Sequence, residues 1–314
     1  MQVLRDRVDR LPAGSATALS IGVFDGVHLG HQHVLRQLRH EADRLGVSTA
    51  VVTFDTHPAL VLRPESAPRL LTTLPQKLEL LAANGVDVAY VVHFDRERAA
   101  TTAEEFVRDV FVDALRARAI VVGEDFHFGK DRGGNVERLR ELGEAAGFVV
   151  RGLALIRHAP GAPEPVTSTA VRRALAGGDV AAAAAMLGRP YELRGTVVPG
   201  DGRGARLGFP TANLDVPAYV AWPADAVYAG WYARPDGERH GCAINIGRRP
   251  TFVEHAAHSM IEAHLLDGNV DLRGEDARVC FVDLMRSEQR FHNADALAAQ
   301  LRRDVEHARE VLAL

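Results

Sequence analysis

Residues 19–38 read LSIGVFDGVHLGHQHVLRQL, and this stretch decides how the first half of the chain folds. An apolar, strand-like run breaks at Gly22, Gly26 and Gly30 and passes directly into a helix pattern. Glycines there let the backbone turn tightly and approach a ligand closely. His28 and His31 fall where a new helix presents unpaired N–H groups and the positive end of its dipole, a setting suited to phosphate and hence to a nucleotide. The pattern is HLGH, an HxGH. It does not meet GxGxxG, and no lysine follows the glycines as a P-loop requires. Histidines also cap helices with no further role, and a zinc site on His28, His31 and His33 would have Asp25 as its only close carboxylate and no nearby cysteine.

The 314 residues are 47% hydrophobic and 25% charged, enough to bury the cores of two domains. The formal charge of −4 gives no basic footprint for nucleic acid. Lysine occurs only at Lys77 and Lys130, and Gly129-Lys130 is followed by Asp131, so no GK[ST] exists and ATP chemistry must use another device. Cys242 and Cys280 stand in apolar runs without metal or redox spacing and read as reduced core residues. With no signal peptide and no membrane-length apolar run, the expected location is the cytoplasm, with no membrane partner.

Working outward, the opening strand and a helix near 31–45 are followed by the strand STAVVTF, which stops at Asp55, Thr56, His57 and Pro58. A helix near 75–84 precedes VDVAYVVHFD. Another near 103–117, begun by a Thr102–Glu105 capping box, precedes AIVVGEDFHFG, and a last one around 134–146 leads to FVVRGLALI. Strands nearly continuous in apolar residues and alternating with helices imply a parallel sheet covered on both faces, an α/β fold of Rossmann-like type. Ligands of such sheets bind beyond the carboxyl ends of the strands. The segments 24–31, 54–58, 94–95 and 123–129 all follow strand ends and so converge on one crevice. Further on, Thr167, Ser168 and Thr169 precede a short helix carrying Arg172 and Arg173, which together form a second anion site.

GVFDGVHLGH, TFDTHP, VGEDFHFG and TSTAVR, in this order and spacing, resemble the adenylyltransferase module of bacterial bifunctional riboflavin kinase/FMN adenylyltransferases, within the HIGH superfamily of nucleotidyltransferases. That resemblance covers about the first 187 residues. It implies that His28 and His31 bind ATP phosphates among Gly22, Phe24, Asp25 and Gly30, and that Ser168, Thr169 and Arg172 close over the triphosphate. It further implies that Phe54, His57, Asp125 and Phe128 lie near the phosphates or the flavin. Thr167 stands where the family usually has a serine, and keeps a hydroxyl.

The composition changes at DVAAAAAMLG, an alanine-rich helix stopped by Gly188, and Arg189-Pro190 opens a different regime. The expected domains are therefore 1–187 and 188–314. YELRGTVV, AVYAGWYAR, GCAINIG, SMIEAHLLD and ARVCFVDLM predict a small antiparallel barrel, closed by a helix over NADALAAQLRRDVEHAREVLAL. Gly200 to Ala205 matches GxGxx[GA], but it runs into RLGFPTANLDVP, where Pro210 forbids the helix a dinucleotide fingerprint opens; a glycine-rich flap over phosphates fits better. Thr211 and Asn213 offer neutral oxygens suited to a hydrated magnesium carried by ATP. Glu262 shares a strand face with His264.

GRGARLGFPTAN, NIGRRPTF, IEAHLLD and LMRSEQRF resemble the riboflavin kinase module of the same family. This implies that Gly202, Gly204, Arg206, Gly208, Thr211 and Asn213 hold MgATP, with Thr211 and Asn213 as the Mg2+ ligands. Glu262 becomes the base for the ribityl hydroxyl, with Arg286 and Phe291 near the flavin. Gly268 and Arg273 replace two aromatic residues usual in the family, so those two aromatic contacts are absent here. The implied reactions are riboflavin to FMN in the barrel and FMN to FAD in the first domain, both with ATP. All partners are then small molecules, and a homo-oligomer is compatible with this reading. Two other readings share features with it: a nucleotidyltransferase of another acceptor, and a flavin-binding regulator with a decayed site.

Overall fold

A computed structural model describes residues 1–154, 165–248, 259–268 and 271–314. Part of NIGRRPTF lies outside the described residues. The chain divides into two compact units, Met1–Ser168 and Thr169–Leu314.

The first unit is built on six parallel strands: β1 (Gln2–Arg5), β2 (Thr17–Ile21), β3 (Ser48–Phe54), β4 (Val88–Val92), β5 (Ala117–Gly123) and β6 (Val149–Leu153). Their order is β1-β4-β3-β2-β5-β6, and every pairing is parallel. The helices are α1 (Leu29–Leu45), α2 (Pro58–Leu62), α3 (Leu74–Ala83), α4 (Arg96–Ala99), α5 (Ala103–Phe106) and α6 (Val136–Ala146). Succession from β2 runs outward through β3 and β4, whereas β5 lies on the other side of β2 and leads to β6. The switch point therefore falls between β2 and β5, where a crevice opens outside the strand ends. Apolar faces on both sides of the sheet are buried, one cluster including Leu19, Val52, Phe111 and Ile120, the other Ala18, Val27, Leu38, Val51 and Val121. The expected parallel sheet is thus present, with β1 as an additional edge strand the pattern did not reveal. The Thr102–Glu105 capping box is formed, but the helix it opens is α-helical only to Phe106 and is π-wound over Val107–Ala114.

The second unit carries α7 (Ser168–Ala176), α8 (Val180–Leu187), α9 (Arg203–Arg206), α10 (Ala294–Leu312) and strands β7 (Tyr191–Val198), β8 (Ala212–Asp215), β9 (Ala226–Ala233), β10 (Arg239–Arg248), β11 (Ser259–Leu265) and β12 (Asp276–Ser287). The strands close into an antiparallel barrel ordered β10-β11-β8-β7-β12-β9. Tyr228, Tyr232 and Phe281 are fully buried in it. α10 covers Ala229, Ala243 and Leu266 with Ala308 and Leu312. Gly188 stops α8 in the left-handed conformation, as the sequence suggests. The flap does contain one helical turn, α9, contrary to the expectation of none. Gly202 at φ +65° starts it, and Gly208 at φ +87° ends it before Pro210.

Candidate active sites in the two units

α1 begins with His28 as its N-cap. The His28 Nδ1 accepts from the His31 backbone N–H at 3.3 Å, and the two rings stack at 3.7 Å between centroids. With Nδ1 accepting, the neutral His28 ring carries its proton on Nε2. A Cβ on Gly30 would stand 2.9 Å from His28 Cε1 and 3.1 Å from the Val166 carbonyl, so the glycine makes room for that ring. The loop before the cap is strained: Phe24 lies at φ +52° and β-branched Val27 at φ +39°, each a cost of about 1–3 kcal/mol. Several bonds fix it. The Asp25 carboxylate accepts from Leu71 and Thr72 N–H at 2.9–3.1 Å, Gly26 N–H donates to Thr72 Oγ1, and Ser168 Oγ donates to the Asp25 carbonyl at 2.9 Å.

These elements line a cavity of about 390 Å3 outside the switch point. It gathers Gly22, Phe24, His28, Gly30, His31, Asp125 and Ser168 from the expected set. His31 is half-buried, and desolvation of its ring, with the neighbouring His28 and Lys77, holds its imidazole well below the usual histidine range. His31 Nδ1 and Ser20 Oγ are buried with no hydrogen-bond partner among the described residues. Unsatisfied donors and acceptors in a cavity wall are what a polar ligand would complete.

Six expected residues do not line this cavity. Asp25 is 4% exposed and turned to the Leu71–Thr72 turn, so it shapes the loop. Phe128 is packed in the core, stacked on Phe126. Phe54 meets Phe94 edge-on. His57 caps α2, its Nδ1 accepting from Ala59 N–H. Thr169 and Arg172 lie on α7 and belong to the second unit. Conversely Ser20 and Arg132 line the cavity without having been expected, and His33 and His127 line it without having been assigned to a phosphate or the flavin. A hydroxyl at the penultimate position of the apolar run LSIG was the one available signal for Ser20. Asp131 and Arg132 are consecutive non-glycine residues at φ +54° and +58°, a conformation no sequence pattern announces.

In the barrel, Glu262 on β11 pairs across the strands with Asn213 on β8 and with Asn245 on β10, placing three polar side chains in one row. All three line a cavity of about 370 Å3 with Gly202, Gly204, Thr211, Arg286 and Phe291. A second cavity of about 510 Å3 adjoins it and shares Gly202, Thr211 and Asn213 in its wall. Asp271 and Arg273 line that second cavity, joined to each other by a 2.6 Å ion pair. Arg206 and Gly208 line neither. Arg206 is exposed, and Gly208 serves the turn that ends α9.

Asn213 is 5% exposed and its Oδ1 has no hydrogen-bond partner among the described residues. A buried neutral oxygen of this kind, beside Thr211, fits a hard divalent cation. Gly200 is indispensable to it, because a Cβ there would collide with the Asn213 amide. His264 Nδ1 meets the Pro210 carbonyl at 2.8 Å and its ring meets Phe209 edge-on, tying the flap to β11. Arg286 makes a two-pronged pair with Asp304, at 2.9 and 2.7 Å, while Gln300 donates to the same carboxylate. This fastens β12 to α10 along the cavity wall.

One unit carries a switch-point cavity with an HxGH helix start and the other a barrel with a carboxylate and an unsatisfied amide oxygen on its cavity wall, the outline of a two-unit nucleotide-dependent transferase. Residues 12–162 match the FAD synthetase family and residues 187–312 the riboflavin kinase family. The chain is 38% identical to the bifunctional riboflavin kinase/FMN adenylyltransferase of Escherichia coli K12, over 94% of this chain and 93% of that protein. It is 36% identical to the protein of the same name from Haemophilus influenzae, over 98% of each. A solved structure described as a macrolide-efflux protein from Streptococcus pneumoniae superposes with a TM-score of 0.87 at 28% identity, covering 98% of this chain and 99% of that one. The chain belongs to the bifunctional riboflavin kinase/FMN adenylyltransferase family. Among the described residues no helix is long and apolar enough to cross a membrane.

Proposed function

We propose that the barrel phosphorylates riboflavin to FMN and that the parallel-sheet unit adenylylates FMN to FAD, each with ATP. The observation that carries this reading is the row Asn213–Glu262–Asn245 on the wall of one cavity, with Thr211 and Asn213 also walling the next. Phosphoryl transfer needs an acceptor hydroxyl and a γ-phosphate to meet in line, and a pair of cavities sharing Thr211 and Asn213 offers that meeting point. Glu262 accepts the proton of the ribityl 5′-hydroxyl as its oxygen bonds to the γ-phosphorus, and the bond to ADP breaks. Thr211 and Asn213 would hold Mg2+, which when bound neutralises phosphate charge. Gly202 and Gly204 present backbone to the phosphates, while Arg286 and Phe291 border the flavin.

In the first unit an FMN phosphate oxygen attacks the α-phosphorus of ATP and pyrophosphate departs. The phosphate is already ionised, so no base is required. His28 and His31 donate to the phosphates and stabilise the transition state. Ser168 and Asp125 wall the cavity, and the family resemblance gives Ser168, Thr169 and Arg172 the role of closing over the triphosphate. Gly22, Phe24 and Gly30 shape the ATP surface, and Phe54, His57 and Phe128 support the flavin side from behind the wall. The functional division at 187/188 keeps α7 with the adenylylating activity.

Glu262→Gln tests the reading. It keeps size and hydrogen bonding but cannot take a proton, so riboflavin phosphorylation should fall by roughly two to four orders of magnitude, while supplied FMN still becomes FAD. Chromatography of the flavins reads both steps. Normal phosphorylation by this variant would remove Glu262 from the mechanism.

A further inference from the structure

Lys77 is one of only two lysines among 37 lysines and arginines, and it is 6% exposed, on α3. Its Nζ donates to the Phe54 carbonyl at 2.8 Å and to the Val23 carbonyl at 3.2 Å. Phe54 ends β3, and Val23 follows β2 immediately before the strained Phe24–Val27 loop. Thr53 Oγ1 donates to the same Val23 carbonyl at 3.0 Å. The ammonium therefore bridges the carboxyl ends of two adjacent strands, β2 and β3, at the base of the loop that carries His28. Arginine, planar and longer, would not converge on two carbonyls from one nitrogen.

A buried charge is costly unless it is hydrogen-bonded or paired, and this one is held by two strand-end carbonyls beside the loop that carries His28. We propose that Lys77 is a positioning residue of the adenylylating site: its ammonium fixes the loop that presents His28 and supplies a standing positive charge behind the phosphates. The inference rests on the proposed reading of that cavity. The charged groups facing Lys77 are Asp25 and Asp55, which favour its protonated form, and His31, whose protonation it opposes. Asp55 is itself paired with His93 at 2.6 Å. Desolvation outweighs the carboxylates and brings Lys77 down to about 8. The sign follows: the ammonium is present below about pH 8 and lost above it.

The experiment measures FAD formation from FMN and MgATP between pH 6 and roughly 9.5 in the parent, Lys77→Met and Lys77→Arg, with thermal unfolding as the fold control. The parent should lose activity on the alkaline side with a midpoint near 8. Lys77→Met should show kcat lowered about tenfold to a hundredfold, the usual loss on removing a group that orients a catalytic one. Its KM values should change far less, and the alkaline fall attributable to Lys77 should be absent. Lys77→Arg, which does not titrate in this range, should also lose that fall and recover part of kcat. A Lys77→Met enzyme with parental kcat and pH profile overturns the proposal. So does a parent profile flat to roughly pH 9.5, even if the Met variant fails to fold. A parent that forms no FAD overturns instead the adenylylating reading of the cavity, with Lys77 falling as a consequence.

Discussion

His28 is held by its stacking on His31 and by the His31 N–H, and Gly30 leaves the space its ring occupies. Truncating it removes a preorganised donor, so His28→Ala should lower FAD formation about a hundredfold or more, with FMN formation from riboflavin intact. Equal loss of both in a folded variant would sink the assignment of the two steps to separate sites. The histidines were legible because their spacing and place at a helix start follow from local sequence alone. Asp25 was misplaced for the opposite reason. Its carboxylate serves backbone groups at Leu71 and Thr72, far along the chain, and nothing local separates a loop-shaping aspartate from a ligand-binding one. Lys77 escaped notice on the same ground, since its partners Val23 and Phe54 reach it only through the fold.

At the scale of elements, β1 is the edge strand, only four residues long, and its partner β4 begins at Val88. Asp6, just beyond it, pairs with Arg98 on α4 through contacts of 2.6 and 2.8 Å, and both side chains are almost fully buried. Tyr90 donates to the same carboxylate at 3.0 Å, and burial pushes its hydroxyl up to about 12. Asp6→Ala would leave the Arg98 charge buried without its partner, so the first unit should lose about 3–5 kcal/mol of stability in urea titration. A loss under roughly 1 kcal/mol would mean that water reaches Arg98 readily. Long, periodic elements such as α1, β3, β7 and α10 could be read from the sequence because each carries its own apolar pattern. Short β1 and β8 have four residues each, too few for a period. The π-wound Val107–Ala114 repeats the helical pattern and differs only in how its backbone bonds are spaced.

At the scale of the whole molecule, the helices between the expected boundary and the observed division side with the barrel. Val180, Ala183 and Leu187 of α8 are buried, and Ala224 N–H donates to the Leu175 carbonyl. A fragment ending at residue 187 therefore carries an apolar helix stripped of its cover, whereas one ending at 168 does not. The longer fragment should bind a hydrophobic dye yet convert FMN to FAD, because it keeps Thr169 and Arg172. The shorter should unfold as one cooperative transition and make little FAD. If the shorter fragment proves as active as the full chain, Arg172 has no part in the reaction. The barrel's strand order also bears on how the protein is made. β12, the last strand, lies between β7 and β9, so the ring cannot close until Ser287 has left the ribosome, whereas the parallel sheet is complete at Leu153. During translation the adenylylating unit is thus ready to fold early, and the kinase half waits as an open sheet with β7 and β9 as unpaired edges until synthesis is nearly finished.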